Sequence, residues 1–167
     1  MKQSNKIYFK DIKEFSVFFE SVRNDSKVYC TSGGFDPIHI GHVRCFVETA
    51  KMAKNDKGIF VVIANNDDFL KRKKGKPFMP QEERLEILSA IKGVDYVVLW
   101  GDDTQTSSGA IEIIKPDYFT KGGDRDEVSK IPESDICEKV GCEIIFGVGG
   151  GKIQSSSWLT SGLDNDK

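Results

Sequence analysis

The sequence predicts a single doubly wound α/β domain built on a mostly parallel, five-stranded sheet. Three observations predict it. Short apolar runs rich in β-branched residues alternate with segments whose apolar residues recur every three or four positions, which is the pattern of βαβ units. Runs such as Phe60-Val61-Val62-Ile63 are continuously apolar rather than alternating, as strands covered on both faces are. The chain has 167 residues, the length of one ordinary domain.

In order, the expected strands are Lys27 to Thr31, Ile59 to Ala64, Tyr96 to Trp100, Tyr118 to Thr120 and Cys142 to Phe146. The helical segments between them are Gly41 to Lys54, Pro80 to Ile91, Ser108 to Lys115 and Glu133 to Val140. Pro80 ahead of Gln81-Glu82-Glu83 is a helix start, with acids where the helix dipole favours them. Asp11 to Val22 reads as an amphipathic helix ahead of the first strand. The division expected is an N-terminal extension over residues 1–26, the domain over 27–160 and a tail over 161–167.

Composition narrows the function. Lysine and arginine total 24 against 26 acids, a net charge of -2, without the basic excess of a general nucleic-acid binder. No apolar run approaches the roughly 20 residues of a membrane-spanning helix. The polar segment Met1 to Lys10 lacks the apolar core of a secretory signal. Cys30, Cys45, Cys137 and Cys142 form no CxxC pair, so reduced thiols in a cytoplasmic protein are expected, and no protein-held metal site.

In doubly wound sheets, ligands bind beyond the carboxyl ends of the strands. There, after the first strand, stands Ser32-Gly33-Gly34-Phe35-Asp36-Pro37-Ile38-His39-Ile40-Gly41-His42, holding both histidines of the protein. Gly33 and Gly34 permit a tight turn and close approach of backbone to ligand. Gly41 and His42 open a helix whose unpaired N–H groups and dipole attract an anion. Two imidazoles at that helix end make a site suited to a polyphosphate.

Gly34 to His42 resembles the HxGH signature of the cytidylyltransferase-like nucleotidyltransferases. The resemblance continues in order through Lys71-Arg72-Lys73-Lys74-Gly75, Glu83-Arg84, Lys121-Gly122-Gly123-Asp124 and Ser155-Ser156-Ser157, and spans Lys27 to Leu159. Glycerol-3-phosphate cytidylyltransferases and heptose-phosphate adenylyltransferases are the most similar members. The resemblance implies a Rossmann-like fold, transfer of a nucleoside monophosphate from CTP or ATP to a phosphorylated acceptor, and magnesium carried with the triphosphate.

It also implies roles for residues. His39, His42 and Lys71 would act on the reacting phosphates, and Lys74 on the acceptor. Gly33, Gly34, Phe35, Gly41, Arg84, Asp124, Lys152, Ser155 and Ser156 would hold the nucleotide. Arg72, Lys73 and Lys76 read as exposed members of a basic run after the second strand, and Asp36 as an orienter of the turn. Three positions depart from the family pattern: Gly34 where many relatives carry Thr or Ser, Arg125 where they carry an aromatic residue, and Lys152 in place of an arginine. The glycine string Gly147 to Gly151 is not a P-loop, because Phe146 stands at the first required glycine and Ile153 at the magnesium-binding Ser/Thr.

The activity expected is transfer of CMP or AMP to a phosphorylated sugar or alditol, with release of pyrophosphate, making an activated glycan precursor. Adenylyl transfer to a cofactor precursor such as FMN or pantetheine phosphate, and a nucleotide-binding module without catalysis, remain open. The partners expected are the nucleotide, a phosphorylated small molecule and a second copy of the chain in a homodimer; nucleic acid and membrane are not expected.

Overall fold

The computed structural model describes residues 7–123, 131–151 and 153–161. Its sheet holds six strands, β1 (Tyr8–Phe9), β2 (Val28–Gly33), β3 (Ile59–Asn65), β4 (Tyr96–Trp100), β5 (Tyr118–Thr120) and β6 (Glu143–Ile145). They lie in the order β1-β4-β3-β2-β5-β6, and every pair is parallel. The expected α/β architecture is therefore present, with one strand more than the five predicted. β1 is two residues long, too short for any periodicity to show, and it takes its place by pairing Tyr8 with Val97 and Phe9 with Val98.

Seven helices are described: α1 (Ile12–Arg23), α2 (Ile40–Asn55), α3 (Asp67–Lys74), α4 (Gln81–Ser89), α5 (Ser108–Ile114), α6 (Ser134–Val140) and α7 (Ser156–Thr160). The pleat of β3 sends successive side chains to opposite faces. Val61 and Ile63 meet Phe15 of α1, Ala110 and Ile111 of α5 and Cys137 of α6. Phe60, Val62 and Ala64 meet Phe46 and Ala53 of α2 and Leu85 and Leu88 of α4. Both faces are thus covered, which is why the β3 sequence carries no alternation.

The segment ahead of β2 is tied into this frame. Asp11 caps α1 by accepting from the Lys13 N–H at 2.8 Å, and α1 buries Phe15 and Phe19 against Tyr96. Arg23 at its end donates to the carbonyls of Ile114 and Lys115, 2.8 Å each, and to Asp117 at 3.2 Å. Asp117 also accepts from the Val28 N–H at 2.8 Å, so one carboxylate fixes α1, β2 and the start of β5 together.

One expected loop is a helix. Residues 71–76 read as a basic run after the second strand, but Lys71 to Lys74 form the last turn of α3. Asn66 caps this helix by accepting from the Phe69 N–H at 2.9 Å, and Gly75 ends it at φ 86. Asp67 and Asp68 in the first turn and four cations in the last complement the helix dipole, so the segment folds although its exposed face is wholly polar.

Candidate active site

The carboxyl edge of the sheet opens into a cavity of about 930 Å³. From β2 it receives Thr31 to Gly33, Phe35, His39 and His42; from β3 and α3, Asn65, Phe69, Arg72 and Lys73. The segment after β4 adds Gln105 to Ser107, that after β5 adds Lys121 to Gly123 and Glu133, and that after β6 adds Val148 to Gly151 and Ile153 to Ser156. The structure therefore brings together four of the sequence segments expected at the site.

The histidine turn has a specific construction. His39 is the N-cap of α2, and its Nδ1 accepts from the Gly41 N–H at 3.1 Å. The His42 Nδ1 accepts from the His39 N–H at 3.2 Å, so the two side chains form a reciprocal capping box. The rings stack with centroids 3.7 Å apart. A Cβ at Gly41 would stand 2.9 Å from the His39 ring, so only glycine lets that imidazole fold back over the first helical turn. Because both Nδ1 atoms accept, each neutral ring carries its proton on Nε2, the ring nitrogen that the cap does not use.

Burial, and then His39 beside it, push the His42 imidazole down to about 3. It is therefore a neutral donor at physiological pH rather than a cation. The unfolded chain binds this proton near 6.5, so between 6.5 and about 3 the unfolded state holds more protons than the folded one. Its contribution to stability is complete above 6.5 and is lost as pH falls toward 3. We expect the His42 ring resonance to stay constant between pH 5 and 8 in an NMR titration, with His39→Asn identifying which of the two signals it is. Movement with a midpoint near 6.5 would contradict the buried, neutral assignment.

Asp36 orients the turn, as expected. Its carboxylate accepts from the N–H groups of Phe78 and Met79 at 2.6 Å each and pairs with the Lys74 Nζ at 2.7 Å. Gly34 stands where a Cβ would lie 2.7 Å from Leu70, so this chain fills with Leu70 the space in which a Ser or Thr side chain would start. Gly33, Phe35 and Gly41 line the cavity; Phe35 also packs edge-on against His42, with centroids 5.0 Å apart.

Several residues are not where the sequence placed them. Lys74 is committed to Asp36, donating to its carbonyl at 2.6 Å as well as to its carboxylate, and does not line the cavity. Lys71 lies outside it too, exposed and 3.9 Å from Asp68. Helical geometry is the reason: Phe69, Arg72 and Lys73 share the inward face of α3, and Lys71 and Lys74 are rotated away from it. The cations of α3 at the cavity are thus Arg72 and Lys73, which line its rim while staying exposed, as the sequence reads them. Arg72 is held there by the carbonyls of Asp102 and Thr104.

Arg84 is likewise absent from the cavity wall. It is 1% exposed and donates to the carbonyls of Met79 at 3.0 Å, Gly34 at 2.9 Å and Asn65 at 2.5 Å, and to Asp67 at 2.7 Å. It holds the turn, the end of β3 and the start of α4 together from beneath. Of the serines, Ser155 caps α7 by accepting from the Trp158 N–H at 3.1 Å, and Ser156 donates to the Pro37 carbonyl at 2.7 Å. Both line the cavity, and the second docks α7 on the histidine turn. Asp124, Arg125 and Lys152 lie outside the described residues.

Lys121 and Glu133 also line the cavity, two residues with no role expected from the sequence. Lys121 was legible as the first residue of Lys-Gly-Gly-Asp after a strand; its Nζ lies 5.5 Å from the centre of the Phe119 ring. Glu133 carried no signal at all.

A parallel, doubly wound sheet with a histidine-capped helix at its carboxyl edge defines an α/β domain whose cavity lies at the end of the sheet where such folds bind their ligands. The cytidylyltransferase-like family model matches residues 30–142, more than half of the sequence, and the chain belongs to that family. It is 34% identical over 136 residues to the bifunctional protein HldE of a Nitratiruptor species, covering 80% of this chain and 28% of that protein. To the bifunctional protein HldE of Hyphomonas neptunium it is 40% identical over 122 residues, 72% of this chain and 24% of the relative. The chain thus spans about a quarter of the length of these relatives. The lipopolysaccharide core biosynthesis protein of Thermoplasma volcanium shares 26% identity and a TM-score of 0.56, over 72% of this chain and 94% of that one. No described helix is long and apolar enough to cross a membrane.

Proposed function

We propose that this chain transfers CMP or AMP from CTP or ATP to a phosphorylated sugar or alditol, releasing pyrophosphate and making an activated glycan precursor. The observation that carries this reading is the His39–His42 capping box, which brings two Nε2–H donors and the first turn of α2 to one cavity. The family match and the identity to the bifunctional proteins support the same reaction class.

The acceptor, a phosphate monoester with a second pKa of about 6, is already a nucleophile near neutral pH and needs no general base. Its oxygen attacks the α-phosphorus, the α–β bridging bond breaks, and pyrophosphate leaves with the electron pair. What the protein must supply is positioning and stabilisation of charge. The imidazole Nε2–H groups donate to phosphoryl oxygens, a contact that strengthens as charge builds on them. Ser155 and Ser156 line the same cavity as Arg72 and Lys73 of α3, whose positive charge would serve the acceptor phosphate.

Magnesium accompanies the reaction in this proposal. The cation proposed is one that the triphosphate itself carries.

The placement of α3 separates its cations in function. Lys73→Ala is expected to raise the acceptor KM about tenfold with kcat nearly unchanged, since a screened cation at a cavity rim contributes binding more than chemistry. Lys71→Ala is expected to leave both constants within about twofold, as an exposed surface pair does. The reverse pattern in steady-state kinetics would restore the sequence-based assignment.

The reaction itself is tested by pyrophosphate release with CTP and ATP in parallel, with magnesium, against phosphorylated sugars, alditols, FMN and phosphopantetheine. Release that requires one nucleotide and one sugar or alditol phosphate together is the expected result. Turnover with FMN or phosphopantetheine alone would replace the acceptor class, and nucleotide binding without release for any acceptor would favour a module without catalysis.

A further inference from the structure

The cavity is chemically divided. Its α3 side presents Arg72 and Lys73, whereas the side formed after β5 and β6 carries Lys121 and Glu133 beside a wall of glycines from Gly122 and Gly123 and from Gly149 to Gly151. Glycine is required at part of this wall, since a Cβ at Gly149 would stand 2.6 Å from the backbone nitrogen of Cys45. Along the glycines of that wall, backbone groups are open to a ligand.

Glu133 is 5% exposed and occupies the N-cap position of α6, yet its side chain makes no capping bond. Among the described residues its carboxylate has no hydrogen-bond or ion-pair partner, and no fully enclosed side-chain oxygen lacks one. Glu133 is one of the residues that line the cavity, so its unpaired carboxylate oxygens are not sealed off from a ligand there. A buried carboxylate left with both oxygens unpaired is costly, and it is retained where a ligand supplies the donors.

We propose that Glu133 is a specificity-determining residue that receives the vicinal hydroxyls of the nucleotide ribose. Two unpaired acceptor oxygens match two adjacent O–H donors, one bond to each. An exocyclic amine of the base would satisfy one oxygen and leave the other buried and bare. The proposal rests on the nucleotidyl-transfer reading for the identity of the ligand, and adds to it the group that reads the sugar.

The test is equilibrium binding by titration calorimetry, with ATP, CTP and their 2′-deoxy and 3′-deoxy forms, on the wild-type chain and on Glu133→Gln and Glu133→Ala. Unchanged thermal unfolding shows that each variant is folded. The wild type is expected to prefer the ribonucleotide about 10- to 100-fold over either deoxy form, the size of a hydrogen bond to a charged group. Both variants are expected to weaken ribonucleotide binding and to bring that preference within about twofold. Equal affinity of the wild type for ribo and deoxy forms would overturn the proposal, and so would a preference unchanged in both variants. A variant that instead alters discrimination between ATP or CTP and GTP or UTP would assign Glu133 to the base, and one that alters only the magnesium requirement would assign it to the metal; either overturns the ribose assignment. Failure of the wild type to bind any nucleotide would remove the nucleotidyl-transfer reading itself, a different outcome from tight binding without sugar discrimination.

Discussion

His39→Asn is expected to reduce pyrophosphate release about 10²- to 10³-fold while leaving the protein folded. Loss of a single preorganised donor to developing charge has that effect on rate, about 2.7–4 kcal/mol of transition-state stabilisation. Asparagine is chosen because His39 does two things at once. Its Nδ1 caps α2 by accepting from Gly41, and its Nε2 carries the ring proton. Asparagine is among the best N-cap residues, so it replaces the first role and removes the second. His39→Ala removes both and is expected to add about 1 kcal/mol of destabilisation to the same kinetic loss. Comparing the two variants by turnover and by urea unfolding separates the cap from the chemistry. Near-normal turnover in His39→Asn would show that the ring is there only to cap the helix.

Arg84→Met has the largest expected effect on stability, about 3–5 kcal/mol, the cost of removing one partner from a buried ion pair. The guanidinium is fully enclosed and serves three carbonyls, from Gly34, Asn65 and Met79, together with the Asp67 carboxylate. Methionine fills a comparable space but leaves all four acceptors without their donor. Lysine retains the charge without the planar fork and is expected to recover only a minor part. Denaturant unfolding should show the loss directly, and it is a large fraction of the roughly 5–15 kcal/mol that holds a typical domain folded. An unchanged unfolding midpoint accompanied by a raised nucleotide KM would instead place Arg84 on the phosphates.

These two residues show what was legible in the sequence. The histidine pair could be read because its chemistry is local: N-cap, helix start and glycine clearance all fall between His39 and His42. The α/β order was equally legible from the run of β-branched strands, and the resemblance drawn from five motifs is borne out by the family match over residues 30–142. Arg84 was misplaced because a charged residue at a helix start reads as surface. Its burial is decided by acceptors from three distant segments that only the folded chain brings together.

Helix α3 was missed for a different reason. Its helix signals were present, in Asn66, in the acid-first, base-last order of charges and in Gly75, but they lay under a run of cations that reads as a loop. Without the helix, the rotation that brings Arg72 and Lys73 to the cavity rim, Lys74 to Asp36 and Lys71 to the exposed surface could not be seen. β1 escaped because two residues carry no period, and Glu133 because an acid at a helix start is ordinary until its side chain is seen to make no cap.

The proposed reaction joins a nucleotide to a phosphorylated acceptor in the histidine-capped cavity. The most direct measurement is the mass of the product formed from CTP or ATP and a sugar or alditol phosphate labelled with ¹⁸O on its phosphate. The expected product equals the acceptor plus one nucleoside monophosphate, with all of the label retained in it, unlabelled pyrophosphate beside it, and almost none of either with His39→Asn. Label appearing in pyrophosphate, or nucleoside monophosphate released without joining the acceptor, would contradict it.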